Sequence, residues 1–126
     1  TAFWAALWLW GAVAPIAPTQ ALSPVFLARA VWQPLWEEVG FRGYLQGWLG
    51  QQPWGRQPYG GLTRANILVA LLFVLGHFWA HPPLWAAAVL LPALLFGYLR
   101  DRYGSVYPSI ALHVFYNTGY FALTSG

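Results

Sequence analysis

WEEVGFR, residues 36–42, sets two adjacent carboxylates and an arginine inside an unusually apolar chain. Of the 126 residues, 59% are hydrophobic and 19% aromatic, while only 7% are charged. An ordinary soluble domain carries roughly 25% charged residues. So few charges cannot cover a water-facing surface, and the apolar excess is expected to face lipid. Glu37 and Glu38 are the only glutamates in the protein. In a membrane segment an ionisable side chain costs roughly 2.5–3.5 kcal/mol on insertion scales, so each marks a functional site by default.

Punctuation around this cluster separates five apolar segments. The first, residues 2–18, ends in Pro15 and Pro18. The second holds the carboxylates and runs from Ser23, an N-cap followed by Pro24 at the first helical position, to about Leu49. The stretch 50–63 reads as a loop. The third segment spans 64–80 and stops before His81, Pro82 and Pro83. The fourth spans 84–99 and ends at Arg100, Asp101 and Arg102. The fifth occupies 105–124. Neither repeats nor linkers are visible. The expected fold is therefore all-α: a polytopic transmembrane helical bundle of about five spans. It forms one integral-membrane domain over 1–126, with a core at about 23–122. Because the chain contains no methionine, its N-terminus is expected to be incomplete.

Composition also removes several functions. Without cysteine there is no disulfide, thiolate metal site or thiol nucleophile. The net charge of +3 comes from scattered arginines, not from a patch, so no nucleic-acid partner is expected. Arg56, Arg64, Arg100 and Arg102 fall in or beside two loops that would share one side of the membrane, and the positive-inside rule makes that side cytoplasmic. Arginine-only basic usage with abundant Ala, Gly, Pro and Trp points to a bacterial inner membrane. The partners expected are the bilayer and a membrane-anchored peptide or protein; the sequence leaves the oligomeric state open.

The polar residues within the apolar segments are Glu37, Glu38, Arg42, His77, His113 and Asn117. At about 1.5 Å per residue, Glu37 lies roughly 18 Å from the loop end of its helix and His77 roughly 20 Å from the start of its own. By the same rise His113 and Asn117 come at roughly 12 and 18 Å, so three helices would bring polar groups to one layer. Glu38 and Arg42 are four apart, in the favourable order for an ion pair. Glu37 is rotated by roughly 100° from Glu38 and is expected to face a cavity instead. His113 and Asn117 share a face, as do Phe73 and His77. Pro34 removes a backbone hydrogen bond one turn before Glu37 and is expected to kink the helix there. A desolvated glutamate suits a general base, a histidine can hold its water, and amide or imidazole N–H groups can receive an oxyanion. Trp36, beside the carboxylates, is expected to line the cavity.

These residues resemble a known pattern. EEVGFRGYL (37–45) is similar to the EExxxR signature of the CAAX protease and bacteriocin-processing (CPBP, Abi) family of intramembrane proteases. FVLGH (73–77) matches the family's FxxxH motif, and GSVYPSIALHVFYN (104–117) resembles its HxxxN motif. The resemblance implies a CPBP-type core and hydrolysis of a peptide bond by glutamate-activated water. Glu37 would be the general base, helped by His77, with His113 and Asn117 forming the oxyanion site. Glu38 and Arg42 would support Glu37, with Phe73 and Trp36 beside them as supporting or substrate-binding side chains. Such enzymes are described as glutamic-type, so no cofactor is expected, although a divalent metal is left open. The chain is short for the family and resembles the small proteases of bacterial C-terminal sorting systems, which would make C-terminal or leader processing its task.

Three other readings compete. A non-catalytic membrane module of the same fold, serving bacteriocin immunity or a chaperone-like role, would use the polar layer only to hold helices together. A bis-histidine haem protein would use His77 and His113 but leaves Glu37 and Asn117 unexplained. His77 and His81 have helical spacing for a shared metal, but no carboxylate lies near them in sequence to complete an HExxH-type site.

Overall fold

The computed structural model describes Ala17 and residues 20–124, so the expected first segment lies almost wholly outside the described residues. The described chain is all-α apart from one small ribbon. It divides into two compact units, Glu37–Ile110 and a second made of Thr1–Trp36 with Ala111–Gly126.

Helix α1 covers residues 24–49 without interruption. Ser23 caps it, its Oγ accepting the Phe26 N–H at 3.2 Å, and Pro24 follows where a missing N–H costs nothing. Two stretches of α1 are wound as wider π turns, Ala28–Trp32 and Val39–Gln46, with Gln33–Glu38 in ordinary α geometry between them. Pro34 cannot donate to the carbonyl one turn back, and its ring crowds that carbonyl. The first π stretch lies directly before it, so the expected kink is expressed as widened turns. The second begins immediately after the carboxylates.

Residues 50–63, expected as a loop, carry a short helix α2 (Pro53–Arg56) and an antiparallel ribbon, β1 (Pro58–Tyr59) with β2 (Leu62–Thr63). Gly60 and Gly61 turn the ribbon at φ 61° and 84°, a conformation that side-chain-bearing residues avoid. Helix α3 (Arg64–Ala80) then matches the expected third segment at both ends, capped by the Thr63 hydroxyl, which accepts the Asn66 N–H at 3.1 Å.

The fourth segment differs from its expectation. It divides into α4 (Pro83–Ala88) and α5 (Leu90–Tyr103), parting at Val89. The cause is Pro92, whose ring would clash with the carbonyl of residue 88 in a continuous helix. Together, Pro83–Tyr103 make 21 residues containing an 18-residue window of mean hydropathy 1.5, long and apolar enough to cross a membrane. Among the described residues this is the one stretch that meets that test; α3 is apolar but has 17 residues. Five spans are therefore an expectation that goes beyond the helices seen. Gly104 closes α5 in the left-handed region at φ 62°, and α6 (Tyr107–Thr124) follows.

Within the unit Glu37–Ile110, α3 packs along α5, and both meet the π-wound part of α1. Ala70, Phe73 and Ala93 are buried at the centre, ringed by Phe41, Val89, Leu90 and Leu94. The two alanines let the backbones of α3 and α5 approach, as small residues do in membrane helix pairs. Phe41 meets Phe73 edge-on, with centroids 5.2 Å apart. This apolar centre is the floor on which the charged residues of α1 rest.

Candidate active site

The two glutamates of WEEVGFR have different surroundings. Glu38 is fully buried, and its Oε1 receives Arg42 Nη1 at 3.2 Å. Arg42, also fully buried, donates Nη2 to the Ala93 carbonyl at 2.7 Å. Its guanidinium carbon sits 4.5 Å from the Phe73 ring centroid and 5.5 Å from that of Phe96. Taking an ion out of water costs several kcal/mol, and a buried pair is tolerated only where geometry and further hydrogen bonds repay it. Here a carboxylate, a carbonyl and two ring faces do so. A planar, weakly hydrated guanidinium suits that setting better than an ammonium. Phe73, expected beside the reaction, serves as a platform under Arg42 and is 2% exposed.

One turn on, Gln46 continues the stripe begun by Glu38 and Arg42. Its Nε2 donates to the Gly97 carbonyl and to Asp101 Oδ1, both at 2.9 Å. Asp101 Oδ2 accepts the Thr63 hydroxyl at 2.6 Å, and Asn66 Nδ2 reaches the Leu94 carbonyl at 3.1 Å. Arg100 Nε donates to the Arg42 carbonyl at 3.0 Å, inside the π-wound stretch. α1, α3 and α5 are thus pinned in register by side-chain bonds to backbone carbonyls. Gly97 is indispensable to this, because a Cβ there would strike Asn66 Oδ1.

Gln46, Asn66, Arg100 and Asp101 were not singled out by the sequence reading. Amides escape a search keyed to charge, and Asp101 reads as loop decoration beside two arginines. The signal was nevertheless present: positions 38, 42 and 46 form a polar series at four-residue spacing.

Glu37 is half-buried, as is His77. His77 Nδ1 lies 2.8 Å from the Phe73 carbonyl. A carbonyl only accepts, so this contact places the proton on Nδ1 and leaves the neutral ring's lone pair on Nε2. The His77 ring also lies against Phe73, with centroids 4.5 Å apart, and is stacked near His81 at 5.7 Å. His81, exposed in the turn after α3, packs on Trp85 at 4.1 Å. Partial burial and the neighbouring His77 hold the His81 pKa below the ordinary imidazole value, while the Glu37 carboxylate works in the opposite direction. Among the described residues no group of three or more His, Asp or Glu side chains is placed to hold a metal ion.

Trp36, His113 and Asn117 belong to the other unit. Trp36 is 57% exposed and meets Trp32 edge-on at 5.6 Å. His113 is buried on α6. Asn117, one turn later, donates Nδ2 to the Arg29 carbonyl at 3.1 Å, and the Arg29 guanidinium lies 5.8 Å from the Phe121 ring. Ser109, earlier on α6 and within Glu37–Ile110, donates to the Phe96 carbonyl at 2.6 Å. The expected site residues are therefore divided, with Glu37, Glu38, Arg42, Phe73 and His77 in one unit and the rest in the second.

The family model described as "Type II CAAX prenyl endopeptidase Rce1-like" matches residues 19–119, and the chain belongs to that family. No match is found among the curated proteins or the solved structures.

Proposed function

We propose that this protein is an intramembrane endopeptidase in which Glu37 activates water to cleave a peptide bond of a membrane-anchored protein or peptide. The observation that carries this reading is the division of labour within WEEVGFR: Arg42 is committed to Glu38 in a dry pocket, and the adjacent Glu37 is half-buried on another side of the helix. Glu38, Arg42 and Phe73 then serve to fix Glu37 in place.

In the reaction, Glu37 takes a proton from water that His77 holds through its Nε2 lone pair. The hydroxide formed adds to the scissile carbonyl. By the family resemblance, His113 and Asn117 are the residues that would receive the oxyanion through N–H groups. Glu37 returns the proton to the leaving nitrogen as the C–N bond breaks. No covalent intermediate is needed. We place the enzyme in a bacterial inner membrane with its arginine-bearing loops cytoplasmic, acting in C-terminal or leader processing.

Glu37→Gln keeps the shape and removes the base. In proteoliposomes carrying candidate anchored peptides, the variant is expected to lose at least ~100-fold in cleavage rate, since general base catalysis contributes roughly 10²–10⁴-fold. Its helicity and thermal unfolding should match the parent's. Undiminished cleavage would overturn the assignment and leave a non-catalytic membrane module of the same fold. Cleavage lost to a chelator and restored by a divalent ion would replace the metal-free mechanism.

A further inference from the structure

Outside the site, the start of α3 forms a cleft of about 270 Å³ lined by Trp54, Tyr59, Arg64, Ile67, Leu68 and Leu71. We infer that this cleft is the seat of one phospholipid with an anionic headgroup, drawn from the leaflet in which Arg64 lies.

Three features fit that ligand and no simpler one. The Arg64 guanidinium carbon lies 6.0 Å from the Trp54 ring centroid, and while the Arg64 backbone N–H donates to the Gln57 carbonyl at 3.0 Å, its guanidinium has no hydrogen bond or ion pair with any described residue. A guanidinium without a partner among these side chains can offer its N–H edge to a phosphate at the rim of the cleft, in a bidentate manner. Second, Ile67, Leu68 and Leu71 follow Arg64 at three, four and seven residues, so they form one apolar stripe beneath it. That stripe runs roughly 10 Å down the helix from the charge, the direction of an acyl chain from its headgroup. Third, Arg64 is the first residue of a 17-residue helix, where the aligned peptide dipoles also favour negative charge. Trp54 and Tyr59, 46% and 68% exposed, supply the amphipathic rings that settle at the headgroup level. A soluble anion would use the arginine and leave the stripe empty, whereas a neutral lipid would use the stripe and leave the arginine without a partner.

The test is native mass spectrometry of the intact chain released from nanodiscs of equal phosphatidylglycerol and phosphatidylcholine. The parent should retain one phosphatidylglycerol in preference to phosphatidylcholine. Arg64→Gln should reduce that preference about fivefold, the effect of one basic residue at a membrane surface. Leu68→Trp, which fills the cleft and keeps the charge, should release the lipid altogether. Arg64→Lys keeps the charge without the planar fork and should fall between parent and Arg64→Gln, which covers the case that Arg64→Gln does not fold. In nanodiscs of brominated phosphatidylglycerol, fluorescence quenching should fall on Trp54→Phe by the contribution of that ring. Equal retention of both lipids, unchanged preference in the Arg64 variants, displacement by millimolar inorganic phosphate, or quenching unaltered by Trp54→Phe would each overturn the proposal.

Discussion

Replacing Arg42 with methionine removes a guanidinium that three groups depend on. Glu38 loses a cation at 3.2 Å, the Ala93 carbonyl loses a donor at 2.7 Å, and the Phe73 ring loses the charge 4.5 Å from its centroid. Breaking a buried pair from one side costs about 3–5 kcal/mol, most of it from the stranded charge. The charged hydrogen bond and the cation–π contact are counted within that range, because such terms do not add. For a chain of this size the loss corresponds to a fall in unfolding temperature on the order of 10–20 °C. The double variant Glu38→Leu/Arg42→Met strands no charge, and well-packed apolar replacements of buried pairs are neutral or better. It should therefore unfold within about 1 kcal/mol of the parent. Thermal unfolding in detergent, followed by the fluorescence of the chain's nine tryptophans, compares all three proteins. A single variant as stable as the parent, or a double variant no better than the single, would refute the claim that Glu38 depends on Arg42.

Three further outcomes follow from the packing and the charges. Gly97→Ala places a methyl group against Asn66 Oδ1 and should cost about 1–3 kcal/mol, read as a lower unfolding temperature that Asn66→Ala in the same chain partly restores. Gly104→Ala forces a side chain into the left-handed region at φ 62° and should cost about 1–2 kcal/mol by the same measurement, although nothing crowds the new methyl. The His81 imidazole, followed by NMR, should titrate below an unfolded histidine, and Glu37→Gln should lower it further by removing the opposing carboxylate. Because the folded value is the lower one, the His81 contribution to stability is intact above the unfolded pKa near 6.5. It is lost as the pH falls below that value, where the unfolded chain takes up the proton first.

Much of the helical layout was legible because its punctuation is local. Ser23–Pro24 fixes the start of α1, and the apolar run of α3 ends where His81, Pro82 and Pro83 begin. The ion pair was legible from a four-residue spacing. The break at Val89 was harder to see, since Pro92 lies inside an otherwise apolar run and its effect falls three residues earlier. The ribbon at 58–63 hides in a loop composition, although Gly60–Gly61 is a hairpin signal. The π turns left no mark in a search for 3.6-residue periodicity. They matter to the site nonetheless. Arg42 and Gln46 both lie in the π-wound stretch Val39–Gln46, where Arg100 Nε reaches the Arg42 carbonyl at 3.0 Å. Of the candidate site, the residue types and their order were readable, while the anchoring carbonyls of Ala93, Gly97 and Arg29 were not, because backbone groups have no letter in the sequence.

The buried ion pair also sets a schedule for the chain's biogenesis. A segment with two carboxylates and a guanidinium enters a bilayer at a penalty on the order of 7–10 kcal/mol when it does so alone. Within α1 only Glu38 relieves the penalty at Arg42; the other groups come from Phe73, Ala93 and Phe96, and the Ala93 carbonyl lies 51 residues further along the chain. As α1 emerges from the ribosome those later groups are not yet folded against it. Full settling of α1 is therefore expected to wait for α3 and α5, so the segment that carries the candidate residues depends on chain made after it.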